Sequence, residues 1–324
     1  MDYKISIIVP IYGVEKYIER CARTLFEQTL EDIEYIFVND CTKDRSMEIL
    51  TSIIKDYPKR REHIRIINSE ENRGSAETRN KGIKHARGEY FTICDSDDWV
   101  DKSAYETMYT KGANENADIV VCDLYYAYDN KLERKKGMIN SMHDKFITDM
   151  FYQRIPWSSW NKLFKRTLLS NTILYPSESM GEDFALTMQL AYFSKKNCYV
   201  EQPLYFYYQH EQSMVKMKGD TVVFNKFVQA SINLELIVDF YKRTELYKSI
   251  NGAMAHTCYH TKSLILPLVS KKKYYHIWKN YYPNIEWKIL LDNNNSKKDR
   301  IKCLLILLRI YPWISNCLGL TKCK

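Results

Sequence analysis

Glycine is scarce in this chain, 10 residues of 324, so no glycine-rich low-complexity linker exists, and no internal repeat is present. Two nucleotide motifs are also missing. No GxGxxG follows the first apolar run, as a dinucleotide-binding oxidoreductase requires, and no GxxxxGK[ST] marks a P-loop enzyme. The nine cysteines, an odd number scattered from Cys21 to Cys323, include no CxxC pair. That argues against a disulfide framework or a zinc ribbon and fits a reducing cytosol. The opening "MDYKISIIVP" carries an acid at position 2 and only a short apolar run, which argues against a secretory signal. With 45% hydrophobic and 27% charged residues, disorder is excluded, and the length suits one large domain with an appendage.

Charge is distributed unevenly. Residues 271–324 hold 12 Lys and Arg against 3 Asp and Glu, whereas residues 1–270 hold 36 against 37. The whole basic excess therefore lies in the tail. Its apolar run Cys303 to Leu308, bracketed by Lys302 and Arg309, is six residues long, far short of the ~20 that a spanning helix needs. On a helix, Lys298, Lys302 and Arg309 share one side and apolar residues cover most of the rest until Pro312. This predicts an interfacial helix at about 296–320 that lies on an anionic membrane. A C-terminal helix packed on the protein is the alternative.

Short apolar runs alternate with helical periodicity through the first 120 residues. The expected strands are 5–9, 34–38, 64–67, 90–94 and 118–122. Val14, Tyr17, Ile18, Cys21 and Leu25 recur at helical spacing, and helices fit 44–56, 75–86 and 102–116. This βαβα order predicts a mostly parallel α/β sheet flanked by helices, with ligands beyond the carboxyl ends of the strands. "WSSWNKLFKRTLL" reads as an amphipathic helix, and the alternative is that the aromatic faces of Trp157 and Trp160, with Asn161, wall a ligand pocket. Residues 220–270, including Tyr241 and His256, read as helical packing.

The strand ends carry the chemistry. "YFTICDSDDW" starts as a buried strand and then places Asp95, Asp97 and Asp98 within four positions. A single carboxylate would suffice for a turn. Three repel one another, and a hard cation such as Mg²⁺ or Mn²⁺ among them relieves the repulsion. After the second strand, Asp40 is placed to accept from the imide N–H of a uracil with Tyr12 covering the base, while Arg79 and Lys81 are placed to meet phosphate oxygens.

The order "SIIVPIYGVEKYI", "VNDCTKDRS", "ENRGSAETRNKGI" and "ARGEYFTICDSDDW", followed by "WNKLFKRTLL", "GEDFAL" and "YYQHEQS", resembles the bacterial family 2 glycosyltransferases. The resemblance covers about residues 4–215. It implies a GT-A fold in 1–215, divided near residue 122 into a nucleotide-sugar half and an acceptor half, with a helical extension over 216–324. It further implies an inverting, metal-dependent transfer from a nucleotide sugar, UDP-linked by the Asp40 reading, to a hydroxyl of a lipid-linked surface glycan. The site would be cytoplasmic, at the inner face of the cell membrane. By position, Pro10, Tyr12, Glu15, Asp40, Arg79, Asp95 and Ser96 lie on the nucleotide-sugar side, and Asp95 and Asp97 stand as the DxD pair. Asp97, Asp95 and His210 are the implied ligands of Mn²⁺ or Mg²⁺. Asp183 is the implied general base, with Glu182 beside it orienting the acceptor. The chain departs from the family pattern at Gly13, at Asn39 and Cys41, and at Gln209. A nucleotidyltransferase is the first rival, but "PIYGVEKY" supplies no glycine-rich, arginine-containing loop. A non-catalytic binder of nucleic acid through the basic tail leaves Asp95, Asp97 and Asp183 unexplained.

Overall fold

The computed structural model describes residues 3–137, 143–170, 172–211 and 219–308. Six of the seven residues of β1 (Ile5–Ile11) are buried, and only Pro10 is partly open. A strand buried on both faces fits inside a parallel sheet covered by helices. The first covering helix, α1 (Ile18–Phe26), buries Ile18, Cys21, Ala22, Leu25 and Phe26, the stripe expected of one helical face. Then follow β2 (Ile33–Asn39), α2 (Ser46–Asp56), β3 (Ile64–Asn68), α3 (Gly74–Lys84) and β4 (Tyr90–Ile93). β1 lies between β2 and β4, parallel to both, with Ile5 opposite Ile33 and Tyr90, and β3 adds outside β2. The chain thus builds outward on one side of β1 and then returns to its other side. That reversal between β1 and β4 leaves a crevice at their carboxyl ends.

The sheet continues through β5 (Trp99–Val100), α4 (Ala104–Glu115), β6 (Ile119–Tyr128), β7 (Lys131–Lys135), α5 (His143–Phe151), β8 (Lys162–Lys165), α6 (Glu182–Phe193) and β9 (Asn197–Tyr208). Its order is β3-β2-β1-β4-β8-β6-β9-β5, with β7 paired to β6. Two expectations are corrected. The fifth strand runs from Ile119 to Tyr128 and not only to residue 122. The segment read as an amphipathic helix supplies β8 and a short 3-10 turn, Arg166–Leu168. The reason is tertiary. β8 pairs antiparallel with both β4 and β6, filling the gap between them, and Phe164 stacks on Phe91 with ring centroids 5.4 Å apart. Local helical spacing yields to that pairing.

α3 approaches the sheet closely because Gly82 has no side chain. A Cβ there would stand 2.3 Å from Cγ2 of Ile8. This close packing sets the height of α3, and hence of Arg79, over the crevice.

The chain divides into two compact units. One comprises the residues up to Phe146 with Ile155–His210, and the other comprises Ile147–Arg154 with the residues from Glu211 onward. The second is helical: α7 (Asp220–Lys242), α8 (Tyr247–Ser263), α9 (Lys272–Asn280), α10 (Ile285–Leu291) and α11 (Lys297–Leu307). Phe227, Ile265, Leu268 and Tyr274 form a core within it. Of the tail expected at 296–320, only the part to residue 308 is described, and Arg309 and Pro312 lie outside the described residues. α11 buries Cys303 and Ile306 and exposes Ile301 and Leu304, as well as Leu308 just beyond it. No helix among the described residues is long and apolar enough to cross a membrane.

Candidate active site

At the end of β1, Tyr12 projects with 54% of its surface exposed, and Gly13 adopts a φ of 68° that turns the chain toward α1. Pro10 is half-buried beside them. Glu15 accepts from the Arg45 amide at 3.1 Å, while its own amide donates to Asp44 at 2.9 Å, so it fixes the loop after β2 against the loop after β1. Asp40 is buried, and its two carboxylate oxygens each accept a 2.9 Å bond, from the amides of Arg73 and Gly74. The carboxylate therefore clamps the N-terminus of α3, where unpaired amides and the helix dipole both favour negative charge. Lys81 donates to the carbonyl of Asn68 and to Ser69.

Beyond β4 the acids diverge. Asp98 turns inward, fully buried, and accepts 2.7 Å bonds from the Tyr205 hydroxyl and the Tyr208 amide. Burial, followed by the charges of Asp97 and Asp95, pushes its carboxyl well above the usual range. Ser96 is also buried. Asp97 faces His210, with Nε2 2.9 Å from Oδ2. His210 sits between Tyr17 and Tyr208, whose ring centroids are 4.8 and 5.5 Å away, and its Nδ1 is buried without a hydrogen-bond partner. Arg20 donates to the Asp97 carbonyl and lies 3.6 Å over the Trp99 ring.

Arg79 is the centre of the site. Nη2 donates to Asp95 at 2.5 Å, and Nη1 donates to Glu182 at 2.8 Å and Asp183 at 3.1 Å. Burial alone would lower the guanidinium pKa, but Asp95, Asp183 and Glu182 outweigh it and hold the group charged. Glu182 also accepts from Ser75, and Asp183 from Ser159 at 2.5 Å. Both acids start α6, after Gly181 at a φ of 84°. Burial raises Asp95 to about 6, with Arg79 opposing and Asp97 and Asp183 reinforcing the shift. Burial likewise raises Glu182 to about 7, against Arg79.

The structure thus gathers Arg79, Asp95, Glu182 and Asp183 in one cluster and Asp97 with His210 in another. Pro10, Tyr12, Glu15 and Asp40 occupy the neighbouring strand ends. Asp95, Asp97 and His210 do not converge as a trio within 4.8 Å. Even so, the donor set fits a divalent cation. Asp97 and His210 offer a carboxylate and an imidazole about one ligand-to-ligand edge apart, and the surrounding carboxylates outnumber Arg79 and Arg20. Trp160 stacks on Tyr205 at 4.5 Å, Trp157 packs on Phe184 at 4.7 Å, and buried Asn161 donates to the Cys122 carbonyl. All three are thus held by contacts within the fold, and Trp157 is half-buried. Sequence reasoning passed over Ser159, although a hydroxyl between two tryptophans in "WSSW" was visible. It also passed over Arg20, whose only signal was a cation one turn after Tyr17.

A parallel sheet with an acid-lined crevice at its reversal point, and a second acid pair at the start of a facing helix, defines a GT-A type fold. The family model "Glycosyl transferase family 2" matches residues 6–175, and the chain belongs to that family. It is 30% identical over 221 residues to the putative glycosyltransferase EpsH of Bacillus subtilis, covering 65% of this chain and 62% of EpsH. It is 32% identical to the poly(ribitol-phosphate) beta-glucosyltransferase of Bacillus spizizenii, covering 67% of this chain and 33% of that protein. The chain therefore spans less than two thirds of either relative. Among solved structures, Staphylococcus aureus TarS 1–349 in complex with UDP-GlcNAc superposes with a TM-score of 0.61 at 17% identity, over 98% of this chain and 92% of that one. The mannosyltransferase PcManGT of Pyrobaculum calidifontis, in complex with GDP-Man and Mn²⁺, gives 0.57 at 14% identity, over 98% and 88%. At these identities the structural likeness concerns the fold.

The titration of Glu182 gives a test of the cluster. The folded chain holds that proton to about pH 7, whereas an unfolded glutamate releases it near 4.5. Between those values the folded state binds more protons, so stability from this group falls as pH rises through the window. Glu182→Gln removes the titration. The unfolding free energy of the variant relative to the parent should therefore improve from pH 4.5 to 7 and level off above, as read by denaturant melts. A difference that does not change with pH would show that Glu182 is ionised throughout.

Proposed function

We propose that the chain is an inverting, metal-dependent glycosyltransferase that moves a sugar from a nucleotide-sugar donor to a glycan hydroxyl. One observation carries this reading. A carboxylate, Asp183, is held in place by Arg79 and Ser159 through a single oxygen, Oδ1, in the same buried network as Asp95 at the donor crevice. Oδ2 is then the atom that takes the proton of the acceptor hydroxyl. As that proton moves, the acceptor oxygen bonds to C1 of the sugar on the face opposite the donor. The bond from C1 to the β-phosphate oxygen breaks, and the nucleoside diphosphate leaves with the electron pair. Glu182, protonated up to about pH 7, bonds to Ser75 and Arg79 and orients the acceptor beside the base.

On the donor side, Tyr12 covers the base, and Asp40 and Pro10 border it with Glu15 bracing the loop. Asp95 and Ser96 face the ribose. Arg79 serves this side as the group that orients Asp95. Asp97 and His210 would hold Mn²⁺ or Mg²⁺, which when bound offsets charge on the leaving diphosphate. A UDP-linked hexose or N-acetylhexosamine is the donor this reading favours, in keeping with the fold shared with a UDP-GlcNAc complex. The acceptor class is a surface glycan on a lipid carrier, in keeping with a relative named for a poly(ribitol-phosphate) acceptor. The site of action is then the inner face of the cell membrane. Exposed Ile301, Leu304 and Leu308 with Lys297 and Lys298 support contact with an anionic surface.

Three measurements test these assignments. Asp183→Asn keeps shape and removes basicity, so kcat should fall by about 10²- to 10⁴-fold with UDP affinity within about threefold. Normal turnover would move the base elsewhere. UDP calorimetry should show binding that needs Mn²⁺ and that Asp97→Ala abolishes, and binding indifferent to EDTA would remove the metal from the mechanism. In flotation with vesicles containing anionic lipid, the parent chain should rise with the lipid and an Ile301→Glu, Leu304→Glu double variant should not. Equal recovery of the two would take α11 out of membrane contact.

A further inference from the structure

The helical unit contains a second cluster that glycosyl transfer does not use. His256 and His260 lie four residues apart in "HTCYH" on α8, hence on one helical face, and Asp299 in the first turn of α11 meets them. Each offers one ligand atom, and the three atoms lie within 4.8 Å of one another. Among the described residues no other group of three or more His, Cys, Asp and Glu does this. The two imidazole centroids are 4.3 Å apart. His260 Nε2 stands 3.8 Å from Asp299 Oδ2, too far for a hydrogen bond, and is buried with no hydrogen-bond partner. That separation is poor for an ion pair but near the ~3.3 Å between two ligand atoms on a tetrahedral ion with bonds of ~2 Å.

The surroundings resemble the support that metal ligands require. His256 Nδ1 donates to the Asn295 side-chain carbonyl at 2.5 Å, which fixes the tautomer and leaves Nε2 as the ligand nitrogen. Asn295 is itself buried and held, donating to the carbonyls of Ile289 and Asp292. Asp299 is oriented by Ser296, the N-cap of α11, which donates to Oδ2 and accepts from the Asp299 amide. Packing alone does not explain this set, because two imidazoles and a carboxylate of the same volume could be apolar side chains with nothing left unpaired.

We infer that His256, His260 and Asp299 form a binding site for a first-row divalent cation of the Zn²⁺ type, fastening α8 to the start of α11. Two imidazoles and one carboxylate suit Zn²⁺ or Co²⁺ better than Mg²⁺, which prefers oxygen alone, and a water completes four-coordination. Burial, followed by the neighbouring His256, holds His260 down at about 4, and burial likewise lowers His256. Both rings are therefore neutral at neutral pH, and no proton competes for their lone pairs. Lys302 and Arg154 face the cluster as like charges, while Asp292 and Asp299 offset them.

The test uses the full chain carrying Asp97→Asn, so that the donor crevice contributes no bound ion, with CoCl₂ as the probe. One equivalent of Co²⁺ should produce the intense visible absorption of a tetrahedral site, one equivalent of ZnCl₂ should displace it, and Zn²⁺ should raise the melting temperature. His260→Gln and Asp299→Asn, each added to that background, should abolish the band and the thermal shift with unchanged far-ultraviolet dichroism. Should His260→Gln unfold, Asp299→Asn decides, since Asn keeps the shape at a part-exposed position. No band in the folded parent, or a band that survives in either folded variant, overturns the site.

Discussion

A single buried guanidinium holds the candidate active site together. Arg79 lies on α3, Asp95 follows β4, and Glu182 and Asp183 open α6, so one side chain joins three elements that are distant in sequence. Leaving such a charge buried without its partners costs about 3–5 kcal/mol, whereas the full set satisfies it. The arrangement is demanding because three acids around one cation leave negative charge over. Burial is the main reason that Asp95 and Glu182 keep their protons to higher pH than free side chains, and the neighbouring acids add to it against Arg79. A site electrostatically unfinished in this way is suited to a cationic ligand and to a reaction in which charge moves.

Much of this was legible in the sequence. The strands at 5–9, 34–38 and 90–94 announced themselves by unbroken apolar runs bounded by polar turns, and the acids after the last run marked the crevice. The roles of individual side chains were harder to foresee. Asp98 carries the same formal charge as Asp97, yet it is a buried anchor for β9. Nothing local distinguishes the two, since the partners of Asp98 are Tyr205 and Tyr208, more than a hundred positions away. Arg79 was expected to face phosphate oxygens and is instead enclosed by carboxylates, because α3 sits so close to the sheet at Gly82 that the side chain reaches the α6 start. "WNKLFKRTLL" reads as helix in isolation and becomes a strand because β4 and β6 leave a gap that needs hydrogen-bonding groups.

Asp40 illustrates a dual use of one residue. Its carboxylate caps α3 through two amides, so an acid at the end of β2 also fixes the helix that carries Arg79. Position and chemistry are therefore coupled, and a change at Asp40 is felt at the acid cluster through the start of α3. The same economy appears in Glu15, which joins the loops after β1 and β2.

The inward turn of Asp98 has a temporal meaning for the chain as it is made. Its bond to the Tyr208 amide spans 110 positions, and His210, which completes the pair with Asp97, comes two residues later. A nascent chain that has emerged only as far as β8 carries the acids after β4 without these partners. Domains fold as they leave the ribosome. In this one, Asp98 and Asp97 meet their partners only when β9 and the residues just after it arrive, so an abandoned or truncated translation product carries the acids without the histidine that gives Asp97 its partner.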